Sequence, residues 1–226
     1  MVPPLSRRRF LGTTALASAS GLFAAAIIAE EVPEQPKQAA AARKVLFNGR
    51  DFDGWEGPAE WFKVADGVII AGSPTRPIPQ NEFLATKEEF GDFELRVSVL
   101  IVGGTGNGGI QFRSQRAPEG SEMIGYQADA APEHWGGLYD ESRRRKFLVP
   151  KLDPTALTKH LQPDGWNKYV IRCEGKRIRL WLNGHLTADF TEEDPSIPAK
   201  GKIAVQIHSG PPTEIRYKEI DILPLD

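Results

Sequence analysis

Residues 166–190 read WNKYVIRCEGKRIRLWLNGHLTADF, and this stretch decides the fold. Trp166–Glu174, Arg177–Asn183 and His185–Phe190 read as three strands, joined by Glu174-Gly175-Lys176 and by Asn183-Gly184. The second junction is the dipeptide that a tight primed hairpin turn prefers, because both of its residues tolerate positive φ. Tyr169, Ile171 and Cys173 alternate onto one face. Cys173 therefore reads as a small buried hydrophobe rather than a nucleophile. It is the single cysteine, so no intrachain disulfide can form and Cys₄ or Cys₂His₂ zinc sites are excluded.

The same β signature extends in both directions. Gly201–His208 and Thr213–Leu223 follow as strands; upstream, WFKVADGVII (61–70) reads as two strands around Asp66-Gly67. Val45–Phe47 leads into the Asn48-Gly49 turn, and Phe83–Thr86 is a short strand. Phe90–Val102 alternates Phe93, Leu95, Val97, Val99 and Ile101 against Glu94, Arg96 and Ser98, the pattern of a long half-buried strand. Ile110–Ser114 and Gly125–Ala130 complete a set of about eleven, with no convincing amphipathic helix. The expected architecture is all-β, a jelly-roll sandwich of two antiparallel sheets. The 22 Gly and 18 Pro suit its many turns. GGTGNGG (103–109) lacks the Lys-Ser/Thr of a phosphate-binding loop and precedes a strand, so it reads as a flexible connection. Residues 131–165 form a long irregular stretch, a feature more often functional than idle. Its Arg143-Arg144-Arg145-Lys146 run reads as a solvated face.

The chain has 226 residues, 40% hydrophobic and 26% charged, with formal net charge −2. No basic field is available to attract nucleic acid. At the N-terminus, Ser6-Arg7-Arg8-Arg9-Phe10-Leu11 resembles the twin-arginine export signal, and a mildly apolar Ala-rich stretch runs from Leu11 to Ala29. Residues 1–29 are thus expected to be a leader, 30–43 a linker and 44–226 the folded domain. The expected destination is periplasmic or otherwise extracytoplasmic. An uncleaved anchor would be the one membrane contact, although Gly12, Thr13, Thr14, Ser18, Ser20 and Gly21 make a poor permanent span.

Three strands carry polar pairs at every-other-position spacing: Gln111/Arg113, Gln127/Asp129 and Gln206/His208. Each pair should leave one face while Ile110/Phe112 and Val205/Ile207 leave the other. An ordinary solvated outer face has this pattern too. The nearby Tyr126, Trp135 and Tyr139 and the glycines point instead to a polar cleft.

Longer motifs carry a resemblance. Leu46-Phe47-Asn48-Gly49-Arg50-Asp51-Phe52-Asp53-Gly54-Trp55 resembles the opening of the 3-keto-disaccharide hydrolase domain family. Phe90-Gly91-Asp92-Phe93-Glu94-Leu95, Asn107-Gly108-Gly109-Ile110-Gln111-Phe112-Arg113, Trp166-Asn167-Lys168-Tyr169, Trp181-Leu182-Asn183-Gly184 and Gln206-Ile207-His208 are similar to its later landmarks, in order. Gly125-Tyr126-Gln127-Ala128-Asp129 lacks the Glu after Tyr that many members carry. The resemblance implies a concanavalin A-like sandwich and an enzyme acting on glycosides oxidised at carbon 3, by hydrolysis or by elimination and hydration. A ketone there acidifies the carbon 2 proton, so the chemistry asks for a base, donors for an enolate oxygen and an acid or metal for the leaving group.

On this chain His208 is the expected base, titrating near neutrality. Arg113, with Gln111 or Gln127, would bind sugar oxygens or steady the enolate; it could instead pair with Glu122 or Glu141. Asp129 could orient His208, be the base itself, bind a divalent cation or cap a turn. Glu82 and Glu141 are further carboxylate candidates. Trp135 and Tyr139 are placed to stack on a sugar, with Tyr126, Gln206 and Asn107 as additional contacts, while Trp55 and Trp61 are assigned to the core. No cofactor motif is evident, and no dense ligand spacing declares a metal, though a divalent ion is compatible. The expected partners are a carbohydrate substrate and a separate sugar 3-oxidoreductase. The competing expectation is a non-catalytic, lectin-like carbohydrate-binding module on the same scaffold.

Overall fold

The computed structural model describes residues 43–150 and 152–225. The expected leader (1–29) and the linker (30–43), apart from its last residue, lie outside the described residues. Fourteen strands are present among those described: β1 (Lys44–Val45), β2 (Trp55–Glu56), β3 (Phe62–Ala65), β4 (Val68–Ser73), β5 (Glu82–Phe90), β6 (Phe93–Ile101), β7 (Gly108–Arg116), β8 (Met123–Ala130), β9 (Leu138–Glu141), β10 (Asn167–Glu174), β11 (Arg177–Leu182), β12 (His185–Thr191), β13 (Gly201–Ile207) and β14 (Thr213–Pro224). One short helix, α1 (Pro154–Thr158), is capped by the Asp153 carboxylate, which accepts from the Thr155 amide.

The strands form two antiparallel sheets. One runs β12-β11-β10-β6-β14-β4-β3, with β1 also paired to β14; the other runs β2-β5-β13-β7-β8-β9. This is the expected sandwich. Asp66-Gly67 and Asn183-Gly184 turn with φ of 51° and 77°, and of 50° and 83°, as primed hairpin turns require. Two details differ from the sequence reading. Phe90 ends β5, and Gly91-Asp92 carries the chain into β6 in the opposite sheet, so Phe90–Val102 is not one strand. The 131–165 stretch is also less irregular than expected, since it contains β9 and α1.

Phe93, Leu95, Val97, Val99 and Ile101 on β6 meet Ile110 and Phe112 on β7, Tyr126 and Ala128 on β8, and Val205 and Ile207 on β13 in one buried core. Side chains of this size stabilise by about 1.5–3 kcal/mol each when taken fully out of water. Cys173 is buried there, and burial pushes its thiol up to about 12, so it is a packing residue.

The outer face of the six-stranded sheet is only partly open. Pairing shifts between Phe112 and Gln115 along β7, where three steps on β7 match two on β8, the mark of a β-bulge. Arg113 sits inside it at φ 47°. Beyond the bulge the β7–β8 hairpin tip folds back across the sheet. Met123 packs with Phe83, Ala85 and Ala204 on the outer face. Arg116 donates to the Glu56 carbonyl on β2, Ser121 bonds Glu82 on β5, and Ser142, just after β9, donates to Glu122. The tip thus bridges the sheet from one side to the other and leaves open the end where Gln127, Asp129 and His208 lie.

Candidate functional site

That open end is a pocket of about 200 Å³ lined by Asn107, Gln127, Asp129, His134, Tyr139, Glu141, Phe147 and His208. Gln127 and Asp129 project from β8, and Tyr139 and Glu141 from the neighbouring edge strand β9. Asn107 precedes β7 and His208 follows β13; the His208 amide donates to the Asn107 carbonyl at 3.0 Å, which ties the two loops together.

Asp129 is held from several sides. Its backbone amide donates to Gly137 O (3.0 Å), and its carbonyl accepts from the Gly136 amide (3.2 Å) and from the Tyr169 hydroxyl. Its carboxylate Oδ1 accepts from Gln127 Nε2 at 2.6 Å. Gln111 lies beneath the pocket, fully buried, and donates to Gln127 at 2.9 Å.

His208 Nδ1 lies 2.7 Å from the Ser209 carbonyl oxygen. A carbonyl only accepts, so Nδ1 carries the hydrogen and Nε2 keeps the lone pair of the neutral ring. Burial pushes the Glu141 carboxyl above the usual carboxylate range, and the Glu122 carboxylate adds to this; His208, Gln206 and Arg145 act the other way without cancelling it. The Gln206 amide is fully buried beside Glu141. It is close enough to help hold that carboxylate, yet makes no well-formed hydrogen bond among the described residues. Tyr139 meets Phe147 edge-on at 5.1 Å, and His134 leans on the same ring at 5.3 Å, forming an aromatic wall. Burial raises the Tyr139 hydroxyl above its usual range, helped by Glu141 and Asp129, so it remains a hydrogen-bond donor. Among the described residues no group of three His, Cys, Asp or Glu side chains is placed to hold a metal ion.

Six of the expected residues therefore share the pocket: Asn107, Gln127, Asp129, Tyr139, Glu141 and His208. Gln111 and Gln206 support it from below. The other four lie elsewhere. Arg113 is turned away by the bulge: it donates to Gly91 O (3.0 Å), Gly175 O (2.7 Å) and Asp92 Oδ1 (2.6 Å), and pairs with neither Glu122 nor Glu141. Tyr126 faces the core, stacked on Phe112, with its hydroxyl donating to Glu192 at 2.6 Å. Trp135 stacks on Tyr169 at 6.3 Å and lines a separate small cavity with Leu152, Leu157 and Leu161. Glu82 bonds Ser121 and Gln80, outside the pocket. Trp55 and Trp61 are buried, as expected. His134 and Phe147 were not anticipated: they come from the non-periodic stretch, where strand parity gives no signal.

Two antiparallel sheets packed face to face, with a polar pocket on the outer face of one, make a jelly-roll sandwich. A candidate glycosyl hydrolase from Parabacteroides distasonis superposes with TM-score 0.63 at 19% identity, over 85% of this chain and 98% of that one. A carbohydrate-binding module from Bacillus subtilis gives 0.56 at 14%, over 74% and 94%. A prokaryotic β-1,3-1,4-glucanase derived from a mouse hindgut metagenome gives 0.50 at 12%, over 80% and 97%. At these identities the likeness is one of fold. No curated protein sequence is significantly similar to the chain. Residues 42–223 match the 3-keto-alpha-glucoside-1,2-lyase-like domain, and the chain belongs to that family.

Proposed function

We propose that the protein is an exported enzyme that cleaves glycosides carrying a ketone at carbon 3, by eliminating the aglycone across carbons 1 and 2. The observation that carries this reading is the meeting of His208, Glu141 and Asp129 in one pocket. His208 Nε2 removes the carbon 2 proton, and the electron pair moves into an enolate on the carbon 3 oxygen. Asn107 and Gln127 supply amide donors for the sugar oxygens. As the ketone re-forms, a double bond forms between carbons 1 and 2 and the bond from carbon 1 to the aglycone oxygen breaks. Glu141, whose raised pKa favours the proton-bearing form, protonates that oxygen. Addition of water to the enone makes the net reaction a hydrolysis. Asp129 accepts from a sugar hydroxyl or steadies the imidazolium formed on His208.

The competing reading, a carbohydrate-binding module, draws on the sandwich shared with the Bacillus subtilis module. Convergence of a base and a carboxyl with a raised pKa argues for turnover, since binding alone needs neither. Export rests on the twin-arginine-like leader at residues 1–29. Since the ketone must be installed first, a sugar 3-oxidoreductase is the expected supplier of substrate.

The test is incubation of the purified protein with a 3-keto-disaccharide and with its unoxidised parent in deuterated buffer, with and without chelator. Aglycone release from the keto sugar alone is expected, with His208→Gln slowed by at least about 10²-fold. Binding of both sugars without release would favour the module, and an undiminished His208→Gln rate would remove His208 from the role of base.

A further inference from the structure

Below the pocket floor lies an unbroken run of buried polar side chains. Ser114 Oγ donates to Gln111 Oε1 at 2.6 Å, Gln111 Nε2 to Gln127 Oε1 at 2.9 Å, and Gln127 Nε2 to Asp129 Oδ1 at 2.6 Å. Exposure along it is 0%, 0%, 2% and 5%. We infer that Ser114 is a positioning residue for the Asp129 carboxylate, acting through the two glutamine amides.

The direction of the run is dictated from its far end. With Asp129 Oδ1 as acceptor, Gln127 presents its NH₂ to Asp129 and its carbonyl to Gln111. Gln111 must then present its own NH₂ to Gln127, which leaves its carbonyl facing Ser114. Only a donor can satisfy that carbonyl, and Ser114 is the donor there. Without the hydroxyl, Gln111 has no satisfied orientation: as it stands its carbonyl is buried without the Ser114 donor, and a flip would set that carbonyl against the Gln127 carbonyl. Leaving such a group unmatched costs more than the bond contributes.

The bulge explains how Ser114 reaches this place. The extra residue at Arg113 makes positions 111 and 114, rather than 111 and 113, share the outer face of β7. Glycines make room for the result. A Cβ on Gly125 would land on the Ser114 hydroxyl, one on Gly201 would strike the Ser114 backbone, and one on Gly109 would sit 2.7 Å from the Gln127 side chain. The run has no counterpart in a solvated face, where water would serve each amide.

The kinetic consequence rests on the proposed function; the amide geometry does not. Ser114→Ala and Gln111→Leu should each be compared with the native protein by the ¹H–¹⁵N resonances of the Gln127 side-chain amide and by steady-state kinetics on a 3-keto-disaccharide. In both variants the Gln127 amide proton that points at Asp129 should move upfield, and kcat should fall about tenfold with KM changed far less. Gln115→Ala, an exposed neighbour on the same strand, should alter neither. An unmoved Gln127 amide in Ser114→Ala overturns the inference, as does a moved amide with unaltered kcat. If the native protein shows no turnover, the proposed function fails while the amide shifts still decide whether Ser114 orients the run.

Discussion

Arg113 gives the sharpest test of where the site ends. Its guanidinium is buried, with 2% of the side chain exposed, and donates to two backbone carbonyls and to Asp92. Asp92 Oδ2 in turn accepts from the Gly175 amide at 2.7 Å. The β5–β6 and β10–β11 turns are thereby fastened to the bulge of β7, and the two sheets are clamped at one end. Replacement by Met keeps the aliphatic bulk and removes three donors. Hydrogen bonds to charged groups contribute about 1.5–3 kcal/mol each, but both carbonyls lie in turns that water can reach and Asp92 is a third exposed. Discounting for that solvation leaves a loss of about 3 kcal/mol. For a domain of this size that lowers Tm by about 6–12 °C. The assay is thermal and urea unfolding of Arg113→Met, beside turnover of a 3-keto-disaccharide well below the new melting point. The expected outcome is a less stable enzyme with near-native kcat and KM. An unchanged Tm with abolished turnover would refute the clamp and return Arg113 to the reacting sugar.

Two further outcomes concern proton equilibria. Glu122→Gln removes a like charge facing Glu141, whose other ionisable neighbours are His208 and Arg145; the Glu141 pKa should fall, moving the alkaline limb of the pH–rate profile to lower pH, and a limb that stays put would show that Glu141 is not the proton donor. Burial pushes Glu192 up, but hydrogen bonds from Arg144, Tyr126 and the Asp194 amide outweigh it and hold the carboxyl at about 2. A depressed native pKa stabilises the fold above the unfolded value of about 4.3, and that contribution is lost as pH falls toward about 2. Tm measured across this window should therefore fall less in Glu192→Gln than in the native protein, and parallel curves would refute it.

Strand alternation and primed-turn dipeptides made the sandwich readable, because the core needs a period of two and hairpins need positive φ at fixed places. The same parity points Gln127, Asp129 and His208 toward the pocket that they line. It also places Tyr126: if Gln127 and Asp129 face outward, Tyr126, one residue before Gln127, must face the core, where it stacks on Phe112. Trp135 and Glu82 stand out by residue type and not by parity. His134 and Phe147 were invisible because residues 131–165 have no period to follow, and their positions depend on how Gly136 and Gly137 bond to Tyr169 and Asp129.

Arg113 departs from strand parity for a different reason. Parity holds only while both strands advance together, and one inserted residue inverts every position after it. IQFRSQ (110–115) contains no glycine or proline to mark the insertion; a non-glycine residue at positive φ is tolerated there because the guanidinium has three acceptors to meet. The single event that turns Arg113 to the sheet-to-sheet clamp also turns Ser114 onto the outer face, beneath Gln111. The bulge therefore converts one stretch of β7 into two functions on opposite sides of the sheet: stability on the inner side, and orientation of the Asp129 carboxylate on the outer.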